Sequence, residues 1–129
     1  MYNDTPVSAG VCTDEALAIF QSGTAFSGVA FNAADSSLAV GSAGAYKITY
    51  KIDALPSANS VLTVNIKVNG ISIAADNYNT SSANEKNITG FLIANLSAGD
   101  TISMYLSAAN TMTLTFSQGI HSLIFLEKL

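Results

Sequence analysis

The feature that most limits how this chain can fold is an apolar residue at every second position, sustained in short runs from Thr24 onward. Tyr46, Ile48, Tyr50 and Ile52 alternate with Lys47, Thr49, Lys51 and Asp53, and Leu62, Val64, Ile66 and Val68 alternate with Thr63, Asn65 and Lys67. Ile102, Met104 and Leu106 do the same among Thr101, Ser103, Tyr105 and Ser107, as do Met112, Leu114 and Phe116 among Thr111, Thr113 and Thr115. Successive side chains of a strand point to opposite faces, so this period puts one face in a core and the other in water; a helix needs a period of about 3.6. Turn signals separate the runs. Asn69-Gly70 is a tight hairpin pair before Ile71-Ser72-Ile73, and Ser97-Ala98-Gly99-Asp100 is a turn. About eight to ten such strands with almost no helical period predict an all-β, antiparallel sandwich or barrel.

Two runs break the alternation. Phe91-Leu92-Ile93-Ala94-Asn95-Leu96 and Leu123-Ile124-Phe125-Leu126 are apolar on both faces. One sheet face of an antiparallel sandwich ordinarily meets water, so a doubly apolar strand needs cover on its second side. A second copy of the chain is the simplest cover, because large exposed apolar patches are unusual on monomers. The expected subunit interface is therefore Phe91, Ile93, Leu123, Ile124, Phe125 and Leu126. A terminal strand at the centre of its sheet, capped by the N-terminal arm, is the other arrangement that would cover it.

Composition narrows the function classes. The chain has 129 residues, 49% hydrophobic, which suits one domain with one core. Charged residues are only 11%, so the surface must be built from Ser, Thr, Asn and Ala. There is no Arg, and Lys47, Lys51, Lys67, Lys86 and Lys128 are scattered, which excludes a phosphate-tracking patch and nucleic acid as a partner. No apolar run approaches the roughly 20 residues of a membrane helix, so membrane insertion is not expected. The N-terminus lacks the basic flank and apolar core of a signal peptide, which leaves the compartment open. Residues 1–23 are loosely patterned and read as an N-terminal arm or first strand region; Thr13 to Phe20 suits a capped helical turn or a strand equally. Residues 24–129 form the globular part.

Catalytic and metal-binding patterns are missing. His121 is the single histidine, and Cys12 the single cysteine, so neither a Cys/His metal site nor an intrachain disulfide is expected. Cys12 is read as a free thiol or as a bond between copies. No Gly-x-Ser-x-Gly elbow accompanies His121, the nine acidic residues are dispersed, and Gly41-Ser42-Ala43-Gly44 lacks the lysine of a phosphate loop. We expect no enzyme activity, no cofactor and no resident metal; a calcium ion held between subunits would leave no linear motif. Residues 76–86 are the longest polar stretch. Their Asn77, Tyr78 and Asn79 make a candidate recognition loop, since Tyr gives rigid contact area and Asn adaptable hydrogen bonds.

Three stretches resemble a known family when taken in order. Gly44-Ala45-Tyr46-Lys47-Ile48-Thr49-Tyr50 resembles a core strand of the complement-head and tumour-necrosis-factor superfamily of jelly rolls. Leu96-Ser97-Ala98-Gly99-Asp100-Thr101-Ile102-Ser103 resembles that fold's Leu-x-x-Gly-Asp turn and following strand, and Phe116 to Ile124 is similar to its apolar final strand. With its Ala, Ser, Thr and Asn bias and Ile-Ala-Asn-Leu at 93–96, the chain is similar to the C-terminal globular head of bacterial collagen-like spore-surface (exosporium) glycoproteins. The resemblance implies an antiparallel jelly-roll β-sandwich that forms a homotrimer at the tip of a collagen-like stalk. It further implies a non-enzymatic role in trimerisation and surface presentation, with adhesion to a host surface protein or glycan, in an extracellular location on the spore. A trimeric receptor-binding tip of a phage or other surface fibre is the alternative of a different class.

Overall fold

The computed structural model describes residues 1–3, 7–11, 16–17, 29–32, 34–116 and 122–129. Among them there are twelve strands and no helix. In chain order they are β1 (Tyr2–Asn3), β2 (Val7–Val11), β3 (Ala16–Leu17), β4 (Val29–Asn32), β5 (Ser37–Val40) and β6 (Gly44–Pro56). There follow β7 (Ser60–Val68), β8 (Ile71–Thr80), β9 (Lys86–Leu96), β10 (Thr101–Ala108), β11 (Met112–Phe116) and β12 (Ser122–Lys128).

All pairings are antiparallel and form two sheets. In the first sheet β6 is central: β9 runs along one side of it, and β12 and then β11 lie end to end along the other. β1 adds to β12 and β2 to β11. In the second sheet β10 is central, with β7 and then β8 on one side and β5 and β3 on the other; β4 lies outside β5. The described parts of residues 1–23 are thus strands joined to both sheets, while position 23 itself and most of Thr13 to Phe20 lie outside the described residues.

The period-two pattern explains the core. Tyr46, Ile48, Tyr50 and Ile52 of β6 are buried, as are Leu62, Val64 and Ile66 of β7, Ile102 and Met104 of β10, and Met112 and Leu114 of β11. Their alternating neighbours face outward. Burying each such side chain is worth about 1.5–3 kcal/mol relative to exposure, so the inward rows dominate the folding energy.

β8 and β9 are the two edges on one side of the sandwich, and a polar clasp joins them. Tyr50 lies on β6 directly opposite Gly90 of β9. A side chain on Gly90 would collide with the Tyr50 phenol, so the glycine lets the ring cross the edge strand toward the other sheet. There the Tyr50 hydroxyl donates to Asp76 Oδ2 at 2.6 Å, and the Tyr78 hydroxyl, 2.7 Å away, donates to Tyr50. Burial first, and the bonds to Asp76 and Tyr78 next, push the Tyr50 pKa far above the ordinary phenol value.

That clasp accounts for a difference from the sequence expectation. Asn77, Tyr78 and Asn79 are not in a loop: they continue β8 to Thr80, and only residues 81–85 connect to β9. The inward positions of this segment are polar but satisfied. Tyr78 meets Tyr50, and the buried Thr80 hydroxyl accepts from Ser60 N–H at 3.0 Å and donates to Ala58 O at 3.1 Å. Asn77, facing outward, accepts from Thr63 Oγ1 at 2.7 Å. Hydrogen bonds here take the place of apolar alternation, which is why the pattern does not announce a strand.

A second clasp holds two turns together. Asn69 and Gly70 both have positive φ, 52° and 81°, as a two-residue hairpin between β7 and β8 requires. The Ser97–Asp100 turn, with Gly99 at φ 88°, lies against it. Asp100 Oδ2 accepts from Ser97 N–H at 2.8 Å, and its Oδ1 accepts from Asn69 Nδ2 at 2.9 Å. Backbone bonds from Gly99 N–H to Val40 O, 2.8 Å, and from Val40 N–H to Asp100 O, 3.1 Å, tie in the end of β5.

Two outcomes follow. Gly90→Ala should lower the unfolding free energy by about 1–3 kcal/mol, the usual cost of overpacking, read as a lower urea midpoint at unchanged m. The bonds from Ser97 and then Asn69 hold the Asp100 pKa below the ordinary carboxylate value. Because the folded pKa is depressed, its stabilisation is complete above the unfolded value and is lost as pH falls through the folded one. Asp100→Asn should therefore flatten the acid limb of a melting-temperature profile; an acid limb identical to wild type would contradict this.

Candidate functional site

Among the described residues, the outward face of the first sheet gathers several exposed large apolar side chains. The registry β9–β6–β12 sets three cross-strand rows: Ile93, Lys47 and Glu127; Phe91, Thr49 and Phe125; Thr89, Lys51 and Leu123. Side chains directly opposite on neighbouring strands touch, so Phe91 and Phe125 flank Thr49 and form the centre of a patch. Phe91 is 63% exposed and Ile93 61%, high values for side chains of this size. Phe125 is 37% exposed and Leu123 is half-buried. The Lys47 ammonium lies 4.8 Å from the centre of the Phe91 ring, and Lys51 pairs with Asp53 at 3.0 Å, so the patch has a charged margin.

The outward face of the second sheet is of another kind. Its rows are Ser107, Thr63 and Asn77; Tyr105, Asn65 and Ala75; and Ser103, Lys67 and Ser72. Ser72 Oγ donates to Asn65 Oδ1 at 2.6 Å, and Lys67 lies 4.3 Å over the Tyr105 ring. Hydroxyl and amide groups satisfy one another across these rows, while Ile71 and Ile73, both exposed, stand on the edge strand β8.

The predicted interface set separates accordingly. Phe91, Ile93, Leu123 and Phe125 share the outward face. Ile124 and Leu126 do not: they are buried in the chain's own core, with Ile124 at 0% exposure. Period two is the reason, since a doubly apolar strand presents alternate residues to opposite sides, and only one set can reach another molecule. Sequence reasoning missed Lys47 and Thr49 as parts of the patch. Only strand registry puts them between Phe91, Ile93 and Phe125.

Among the described residues, no three His, Cys, Asp or Glu side chains gather in a way that could hold a metal ion. Cys12 and His121 lie outside the described residues. Tyr50, Asp76 and Tyr78 form a polar cluster whose hydrogen bonds join the two edges.

Three comparisons bear on these surfaces. A family model described as the BclA C-terminal domain matches residues 1–129. A solved structure titled "Structure of Eiger TNF from S. frugiperda" is similar over 99% of this chain and 89% of that one, with a TM-score of 0.69 and 14% identity. At that identity the likeness concerns the fold, which is the antiparallel jelly roll of tumour-necrosis-factor-like proteins. No curated protein matches the chain.

Because Ile124 packs within its own subunit, Ile124→Ala should cost about 2–5 kcal/mol of stability as a core cavity. The loss should appear in denaturant melts at every protein concentration; a loss that vanishes on dilution would place Ile124 at a subunit contact instead.

Proposed function

The chain belongs to the BclA C-terminal domain family, the heads of collagen-like surface proteins, and from that premise we propose that it is a non-enzymatic trimerisation head. The observation that carries this is the contrast between the two outward faces. One has Phe91 and Ile93 more than half exposed beside Phe125, whereas the cross-strand rows of the other carry mostly hydroxyls and amides, its exposed Ile71 and Ile73 lying on the edge strand β8. Apolar surface removed from water is worth about 25 cal/mol per Å², which favours burying the first face against further copies and leaving the second in solvent.

Threefold closure needs a contact between two different surface patches, so that each copy offers one and receives the other. In this reading Phe91 and Ile93, on the edge strand β9, meet the Leu123 and Phe125 part of the next copy. Three heads joined in this way hold three collagen-like chains at high effective concentration and in register, which favours their winding together. The second sheet then faces outward at the spore surface as the presentation side, with the face around Tyr105 and Asn77 as the surface for adhesion to a host glycan or protein. The family supports the extracellular location.

Light scattering on the purified chain should give three times its 13.3 kDa mass. The double variant Phe91→Asp with Ile93→Asp should run as a folded monomer, with its far-ultraviolet circular dichroism retained. A wild type that is monomeric at micromolar concentration, or a double variant that stays trimeric with unchanged stability, would sink the reading.

A further inference from the structure

We propose that Asn69 is a latent self-modification site, at which loss of the side-chain amide opens the clasp between the β7–β8 hairpin and the Ser97–Asp100 turn, and that Asp100 keeps it in the amide form. Asn69-Gly70 is the one Asn-Gly pair in the sequence. It is the pair in which the following backbone nitrogen is least hindered, because glycine has no side chain beside it. Asn69 and Gly70 are both exposed, and among the described residues other than its chain neighbours no heavy atom lies within 4 Å of where a Cβ on Gly70 would stand.

The chemistry is intramolecular and needs only water. The Gly70 nitrogen, after giving its proton to solvent base, bonds to the Asn69 side-chain carbonyl carbon. The bond from that carbon to Nδ2 breaks, and the nitrogen leaves as ammonia, taking up a proton. Water then opens the five-membered imide at either carbonyl, leaving a carboxylate on the side chain or on an isomerised backbone. The sum is amide plus water giving acid plus ammonia.

In the folded chain both ends of the amide are held by hydrogen bonds. Nδ2 donates to Asp100 Oδ1 at 2.9 Å, and Oδ1 accepts from Thr101 N–H at 3.0 Å and from Thr101 Oγ1 at 3.2 Å. These bonds, one of them to an ionised group, oppose any turning of the amide that would bring its carbon to Gly70. The product is incompatible with the same arrangement: a carboxylate oxygen would replace the amide donor facing Asp100, and two carboxylates at that distance disfavour each other. The isomerised product also lengthens the backbone of a two-residue turn whose size sets the hairpin register. Conversion is therefore slow in the intact head and, once made, holds the two turns apart.

The test is peptide mapping by mass spectrometry after incubation in mildly alkaline buffer. Folded wild type should lose the Asn69 amide at least about tenfold more slowly than the same protein in denaturant, as expected when opening must break a charge-assisted hydrogen bond. Asp100→Ala, which removes the charge-assisted bond and leaves the two from Thr101, should raise the folded rate at least about threefold without reaching the denatured one, while Asn59 of Asn59-Ser60 is unaffected. Should Asp100→Ala not fold, Thr101→Val, which removes one of the three bonds, should give an intermediate rate. Separately, Asn69→Asp should melt below Asn69→Gly at neutral pH, since both lack the amide and only the first adds a charge facing Asp100. Equal rates in folded and denatured wild type, no acceleration in either clasp variant, or Asn69→Asp melting no lower than Asn69→Gly would each overturn the proposal.

Discussion

Burial of Tyr46, Ile48, Tyr50 and Ile52 between the sheets is the contact on which the other features rest. β6 is the strand with neighbours along its whole length: β9 on one side, β12 and β11 on the other. Once its inward row is buried, its outward row of Lys47, Thr49 and Lys51 has to face away from the core, and the registry then decides what stands beside those residues. The Phe91 and Phe125 patch is a consequence of that alignment. A slip of one residue in either flanking strand would turn the phenylalanines inward and expose the core set.

The sandwich is closed at its margins by hydrogen bonds where apolar contact is thin. Tyr50 crosses Gly90 to reach Asp76 and Tyr78 at one edge. At one end of the sandwich, Asn69 and Asp100 lock two turns. These clasps differ in durability. A phenol has no chemistry of its own to lose in water, whereas an asparagine followed by glycine contains the reagents for its own conversion. The proposed vulnerability of the second clasp comes from the same Asn-Gly pair that makes the hairpin turn so favourable.

In the proposed trimer the two outward faces divide the tasks of a surface head. A homotrimer needs apolar surface to bury, and presentation in water needs polar surface that does not recruit further copies. Placing the two on opposite sheets keeps them apart without a second domain. The low charge content suits this division, since a hydroxyl and amide face satisfies itself across strands, as Ser72 with Asn65 and Thr63 with Asn77, and depends little on salt.

Period two in the sequence determined by itself that the chain is all-β and which side chains of β6, β7, β10 and β11 face the core, because the alternation of a strand is a local property of its backbone. It also placed the Asn69-Gly70 hairpin and the Ser97–Asp100 turn, whose residue types are demanded by local dihedral angles. The strand through Asn77, Tyr78 and Asn79 was hidden, since its inward groups are polar and are satisfied by partners on distant strands. Ile124 and Leu126 were not separable from Leu123 and Phe125 by residue type, because all four are apolar and only one side of the strand meets the opposite sheet. Which side that is, and which residues stand beside Phe91, depend on pairings between strands far apart in the chain, and those were decided by tertiary structure alone.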